Sequence, residues 1–140
     1  MNAKESYIAA FQKHIRRPGA ASLLNWLLTT DFFEAPASTK YHGKFAGGLV
    51  LHSLHIFYRM SQNCVYEFGK DCGGSMPFPP DQMESIAIVA LLHDICKAEF
   101  YKIDFKNQKV YSEQGRQFDK RGAYSWESIP FYTVDEKFPF

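Results

Sequence analysis

The sequence has few cysteines, almost no net charge and no long apolar run, and each of these features argues against one class of protein. The three cysteines, Cys64, Cys72 and Cys96, form no CxxC pair and are odd in number, which argues against a disulfide-stabilised secreted protein. The 16 basic and 15 acidic residues leave a net charge of +1, so no overall field attracts nucleic acid or an anionic membrane. Any recognition of phosphate must therefore be local.

Apolar segments for targeting or membrane insertion are also missing. The first residues, Met1 to Ser6, lack the apolar core of a signal peptide, and no stretch approaches the roughly 18 apolar residues of a membrane span. We therefore expect a cytoplasmic protein with no membrane partner. Hydrophobic residues make up 46% of the 140 residues and aromatic residues 16%, which predicts a single globular domain over residues 1–140.

Hydrophobic periodicity predicts a mainly α-helical fold. Apolar residues at helical spacing indicate a first helix that ends near Pro18-Gly19 and a second, mostly buried helix from about Ala20 to Thr29. After a loop around Pro36, a long helix is predicted at about 47–68, and the glycines and prolines of residues 71–80 predict a loop.

The last predicted helix has an unusual end. Asp81 and Glu84 have the spacing of a capping box, and the run from Ile86 to Leu92 is apolar almost all round. This pattern predicts a helix through the centre of the core that carries His93 and Asp94 at its far end.

Beyond residue 99 the pattern changes from helical to alternating. Residues 100–105 predict a strand that pairs with residues 109–111 across a turn at 106–108. Residues 112–140 mix glycine and proline with aromatics and predict short strands or an irregular, aromatic-rich tail. The helical part is thus expected at about 3–99, and the hairpin and tail at about 100–140.

His93 and Asp94 are the first candidates for chemistry, since an ionised carboxylate buried without a partner costs several kcal/mol. A divalent cation compensates such a charge, and neutral imidazole and carboxylate suit zinc, manganese, iron or nickel. A hydrogen-bonded core pair would explain the two residues equally well. His52 favours the metal, because it lies amid aliphatic residues of the long helix, so that two helices bring three candidate ligands together.

Two segments carry a specific resemblance. Gly47-Gly48-Leu49-Val50-Leu51-His52-Ser53-Leu54, followed later by Leu91-Leu92-His93-Asp94-Ile95-Cys96-Lys97, resembles the HD superfamily of metal-dependent phosphohydrolases. Upstream, Phe33-Glu34-Ala35-Pro36-Ala37 and then His42 resemble the segment before the first ligand in bacterial HD proteins. The resemblance covers roughly residues 30 to 100.

The resemblance implies an HD-domain-like helical bundle with His52, His93 and Asp94 as metal ligands. It implies catalytic roles for Asp94, which bridges two metals where two are present, and for Lys97, which meets the substrate phosphate. The cofactor would be a divalent ion (Mn, Fe, Ni, Co, Mg or Zn), and the substrate a phosphorylated small molecule, a nucleotide or an oligonucleotide. Without the resemblance, Lys97 is a solvated lysine at a helix end.

The sequence departs from the family pattern after Lys97. The family places a further aspartate on a later helix, often with additional histidines, whereas no histidine follows His93 here. We therefore expect a shortened, amino-terminal part of the domain. Asp104, Asp119 and Asp135 are candidates for a fourth ligand, although the resemblance assigns that role to none of them.

Three functions stay open at this point: a working phosphohydrolase, a shortened HD fold that binds a metal, ligand or protein, and a helical domain with a structural His-Asp pair. A half-covered core would expose apolar surface for self-association or a protein partner, unless the aromatic run from Tyr124 to Phe140 covers it. His14, His42 and His55 are weaker candidates for the site. Ser53 is not expected to be a nucleophile, and Cys96 is expected to be packed.

Overall fold

The computed structural model describes residues 1–68, 79–111 and 124–135, and these form a mainly α-helical fold with one hairpin. The helices are α1 (Ala3–His14), α2 (Ala20–Thr29), α3 (Gly48–Phe68) and α4 (Pro80–Leu92). A short 3-10 helix (Ile95–Lys97) follows, and then β1 (Tyr101–Tyr111) and β2 (Tyr124–Val134) pair antiparallel. The predicted fold class is confirmed at this level, and α3 and α2 have almost the predicted bounds.

The core lies where α1, α3 and α4 pack against one another. Its buried members are mostly aliphatic and aromatic: Tyr7, Phe11, Ile15, Leu24, Leu27, Phe32, Phe33, Ala35, Leu49, Val50, Leu54, Phe57, Ile86, Ala87, Ala90 and Leu91. At its centre the hydroxyl of Tyr7 donates to the backbone carbonyl of Leu91, at 2.8 Å. This bond fastens the middle of α1 to the last turn of α4, next to the His93-Asp94 pair.

The predicted start of α4 at a capping box of Asp81 and Glu84 is wrong. The helix begins one residue earlier, at Pro80, whose fixed φ suits a first helical position. The Glu84 carboxylate instead accepts from the backbone N–H of Arg16 at 2.7 Å and from the Arg17 guanidinium at 3.1 Å. Glu84 therefore joins the end of α1 to α4.

Two helices are less buried than their composition predicts. In α2 only Leu24 and Leu27 are buried, while Trp26 is 51% exposed, because this short helix packs through one face. In α4 the buried residues face α1 and α3, and Val89 on the outer side is 55% exposed. An apolar helix at the edge of a small core therefore keeps one side in solvent.

The predicted hairpin has the wrong turn and the wrong second strand. β1 runs without a turn through residues 106–108, and its partner is β2 rather than residues 109–111, with Tyr101 opposite Val134 and Tyr111 opposite Tyr124. A return strand of residues 109–111 could form few cross-strand pairs, whereas β2 matches all 11 residues of β1. Of the two alternatives predicted for residues 112–140, strands or irregular structure, residues 124–134 form a strand, which is longer than the short ones expected.

One side of this hairpin is apolar and open to solvent. Cross-strand neighbours point to the same face, which groups Ile103, Phe105, Trp126 and Val134, here called the apolar hairpin face. Ile103 is 57%, Phe105 63% and Trp126 64% exposed. No hydrophobic side chain described in β2 packs against the core around α4, so this part of the predicted aromatic cover is absent.

Some predictions fall on residues outside the described ranges. They are most of the loop predicted at 71–80, the candidate ligand Asp119, and the end of the aromatic run at 136–140. Of the helices in the described residues, none has both the length and the apolar character that crossing a membrane requires.

Replacing Tyr7 with phenylalanine should lower the free energy of unfolding by about 1 to 2 kcal/mol, because the buried Leu91 carbonyl loses its hydroxyl donor. Urea denaturation measures this loss. Tyr58→Phe is the matched control, since Tyr58 is 49% exposed and its change should stay within about 0.5 kcal/mol. Equal stability of the two variants would show that the bond contributes nothing.

Candidate metal centre

The end of α4 positions two candidate ligands. The helix ends at Leu92, His93 occupies the C-cap, and Asp94 is the N-cap residue of the 3-10 helix. His93 Nδ1 lies 2.7 Å from the backbone oxygen of Ala90. A carbonyl can only accept, so Nδ1 carries a proton, and in the neutral imidazole Nε2 keeps its lone pair. This arrangement is the usual way in which a protein orients a metal-binding histidine.

The third candidate comes from the first turns of α3. His52 Nε2 lies 3.3 Å from His93 Nε2 and 3.6 Å from Asp94 Oδ2, and His93 Nε2 lies 3.3 Å from the same oxygen. Within the described residues, this is the one group of three or more His, Cys, Asp or Glu side chains whose donor atoms converge closely enough for one ion. The structure therefore brings together the three residues that the sequence singles out.

The spacing of these three atoms fits a tetrahedral ion. With metal-ligand bonds of about 2.0 to 2.2 Å, two ligands of a tetrahedral ion lie about 3.3 to 3.6 Å apart. The three observed separations, 3.3, 3.3 and 3.6 Å, fall within that range. His52, His93 and Asp94 would thus occupy three corners and leave the fourth for water or substrate. Two imidazoles favour a transition metal over magnesium.

A metal ion is one of two ways to satisfy the atoms of this group. His93 Nε2 lies 3.3 Å from both His52 Nε2 and Asp94 Oδ2, so an imidazole proton could bridge either pair in a structural hydrogen bond. A cation would instead accept a lone pair from all three residues at once.

Burial keeps the first histidine in the form that a metal needs. It lowers the pKa of His52 below its ordinary value; Asp94 opposes this, and His93 adds to it. The neutral imidazole with its free lone pair is therefore favoured near neutral pH. The side chains of His52 and Asp94 are 21% and 19% exposed, so a small ligand can still reach them.

Lys97 is not the solvated lysine at a helix end that we expect without the family resemblance. Its ammonium donates to Asp94 Oδ2 at 3.1 Å and to the backbone oxygen of Ala37 at 2.9 Å. It offsets part of the Asp94 charge and fixes the loop before α3 against the site. Tyr101 also reaches the Ala37 oxygen, at 3.4 Å. The sequence carries no signal for these two contacts, because they depend on a backbone atom 60 residues or more away.

The remaining polar residues considered for the site differ in their distance from it and in their burial. The His42 ring packs against the His52 ring, with centroids 4.8 Å apart, whereas His55 is exposed. Ser53 is buried and donates to the carbonyl of Leu49 one turn earlier, so its hydroxyl is engaged. Cys96 is exposed, and the prediction that it is packed is wrong.

No fourth carboxylate joins the three ligands within the described residues. Asp104 lies exposed on β1, and Asp135 follows β2, where its backbone N–H donates to the carbonyl of Phe100. Neither belongs to the group around His93. Asp119 is outside the described residues.

A groove of about 870 Å3 lies at the other end of α4, about 18 Å along the helix from the site. Its lining includes His14, Phe57 and Glu84, and none of the candidate ligands. His14 is partly buried and its ring packs against that of Phe57, with centroids 5.4 Å apart, so it is not the solvated residue that its sequence context suggests. Burial and the neighbouring Lys13 and Arg16 lower the pKa of His14.

In comparisons with known proteins, no protein-family model, curated protein or solved structure matches the chain. Family and function therefore rest on its own residues and their geometry.

The chain should bind one zinc ion, and Asp94→Asn should weaken binding by at least about 100-fold, because the amide removes an anionic ligand at constant size. Isothermal titration of protein purified without chelator or nickel resin measures this. His55→Ala, an exposed histidine on the same helix, is the control and should bind like the wild type.

The zinc affinity should fall as the pH drops and His52 gains a proton, since an imidazolium has no lone pair for the metal. Because the pKa of His52 is lowered, its contribution to the fall should lie below about 6.5, the value for an unperturbed histidine. Similar weak binding by wild type and Asp94→Asn at every pH would contradict the assignment.

Proposed function

We propose that the chain is a metal-dependent phosphohydrolase of the HD type, which cleaves phosphomonoesters or phosphodiesters of the nucleotide or oligonucleotide class. The observation that carries the proposal is the triangle of acceptor atoms from His52, His93 and Asp94, with the edges of a tetrahedral site. The Gly47–Leu54 and Leu91–Lys97 motifs support the reaction type through their resemblance to that superfamily.

A divalent ion held there would lower the pKa of a bound water to about 7 and polarise a phosphoryl oxygen. The protein's part is to favour the neutral form of His52 through burial, to present Nε2 of His93 and one carboxylate, and to leave one corner open. His93 and Lys97, whose side chains are 31% and 29% exposed, border the accessible side.

Lys97 is the residue proposed to meet the substrate phosphate. Its ammonium lies 3.1 Å from Asp94 Oδ2, next to the atoms that would hold the ion. A cation at that distance can neutralise negative charge that develops on phosphoryl oxygens as the ester bond breaks. Its second bond, to the Ala37 carbonyl, limits the directions that the side chain can take.

Hydrolysis of bis(p-nitrophenyl) phosphate or p-nitrophenyl phosphate should depend on added manganese, cobalt, nickel, zinc or magnesium. Asp94→Ala should abolish it, and Lys97→Ala should reduce it by about 100-fold, since both remove charges next to the reacting group. His55→Ala should keep full activity. Circular dichroism shows whether each variant folds, and turnover that survives in folded Asp94→Ala would contradict the mechanism.

A second candidate function is a binding module of the same fold without turnover, and the apolar hairpin face favours it. Its large side chains Ile103, Phe105 and Trp126 are each more than half exposed, although the Lys109 ammonium lies 5.4 Å from the centre of the Trp126 ring. Exposed apolar patches commonly mark interfaces with proteins. We propose that a second copy or another protein covers this face.

Light scattering should show a mass above that of the monomer at high concentration, and Phe105→Ser should shift it towards the monomer. The matched control is Tyr66→Ser, a residue of α3 that is 77% exposed and lies outside this face. A wild-type protein that stays monomeric at every concentration would contradict self-association through the apolar hairpin face.

A further inference from the structure

His42 lies beside the proposed metal ligands without being one of them. Its ring centroid is 4.8 Å from that of His52, with the two planes tilted by 41°. Its nitrogen atoms do not join the convergent donor atoms of His52, His93 and Asp94. The side chain is nevertheless exposed, so a molecule from solvent can contact it.

The loop that carries His42 is held by its own backbone. The Ala37 N–H donates to the carbonyl of Gly43 at 2.8 Å, and the Gly48 N–H donates to the carbonyl of Phe45 at 2.9 Å. The Gly47 N–H reaches back to the carbonyl of Glu34 at 3.0 Å. These bonds close the loop on both sides of His42, so its position is set by the fold.

Two glycines make this closure possible. Gly43 has a φ of +69°, and a Cβ there would lie 2.7 Å from the Cβ of Ala37. A Cβ on Gly48 would lie 2.0 Å from the carbonyl oxygen of Gly43. A side chain at either position would push the loop, and His42 with it, away from α3.

Lys97 ties this loop to the other half of the site. The Ala37 carbonyl accepts from the Lys97 ammonium, which also binds Asp94. The carbonyl of Ala37 is thus linked through Lys97 to Asp94, and its N–H is bonded to Gly43 in the loop that carries His42. Two hydrogen-bond donors, His42 and Lys97, therefore flank the same ligand group.

We propose that His42 is a substrate-binding residue, whose imidazole N–H donates to an oxygen of the phosphoryl group held at His52, His93 and Asp94. This inference rests on the proposed phosphohydrolase function and adds a contact to it. An imidazole carries at least one N–H in either protonation state, and a donor to a charged phosphoryl oxygen forms a strong hydrogen bond.

A purely structural role predicts something different. If His42 only packs against His52 and orients it, another aromatic ring should replace it, and its loss should weaken the metal rather than the phosphate. His42→Phe keeps the ring and removes the N–H, whereas His42→Gln keeps an N–H donor and removes the ring. These two variants separate the roles.

The test uses the full chain and two titrations, first with zinc and then with inorganic phosphate added to the zinc-loaded protein. His42→Phe should bind zinc with a Kd within about threefold of the wild type, but phosphate about tenfold more weakly. His42→Gln should recover part of the phosphate affinity. His55→Ala, the control, should match the wild type in both titrations.

Each other outcome overturns the inference in a recognisable way. Phosphate binding in His42→Phe equal to that in His55→Ala would show that His42 makes no hydrogen bond to the phosphate. Loss of zinc in His42→Gln, with zinc binding retained in His42→Phe and phosphate binding unchanged there, would show that the His42 ring orients the ligand His52 instead. A wild type that binds no zinc in the first titration would refute the proposed function itself, and the inference with it.

Discussion

The convergence of three potential ligand atoms at the end of a helix is the constraint on which the rest of this structure depends. The Ala90 carbonyl accepts from Nδ1 of His93, so that Nε2 of the same ring faces Asp94 Oδ2 at 3.3 Å. His52 Nε2 completes a triangle whose edges match those of a tetrahedral site, and this match supports the proposed metal ion.

Contacts from several parts of the fold position the three candidate ligands. The buried bond from Tyr7 to the Leu91 carbonyl fixes the last turn of α4, and the packing of α3 against α4 brings His52 to it. Lys97 then joins Asp94 to the loop before α3 through the Ala37 carbonyl. Precise placement of ligand atoms requires such support, because their own side chains are partly exposed and would otherwise sample several rotamers.

Local patterns predicted the helices well and the long-range contacts poorly. The bounds of α3 and the three candidate ligands could be read from periodicity and from the unusual His93-Asp94 pair. The predictions of a capping box at Glu84 and of the strand partner of β1 were wrong, because Glu84 pairs with Arg17 in the segment between α1 and α2, and β1 pairs with a distant strand of equal length. The contacts of Lys97 with a backbone carbonyl leave no trace in the amino-acid sequence.

The most direct test of the central claim is the coordination of a bound ion, measured by X-ray absorption on zinc-loaded protein and by visible absorption on cobalt-loaded protein. We expect four nitrogen or oxygen ligands at about 2.0 to 2.2 Å, two of them imidazoles, and the intense visible bands of tetrahedral cobalt. A bound ion with one imidazole or none, or a six-coordinate ion held mainly by water, would contradict it.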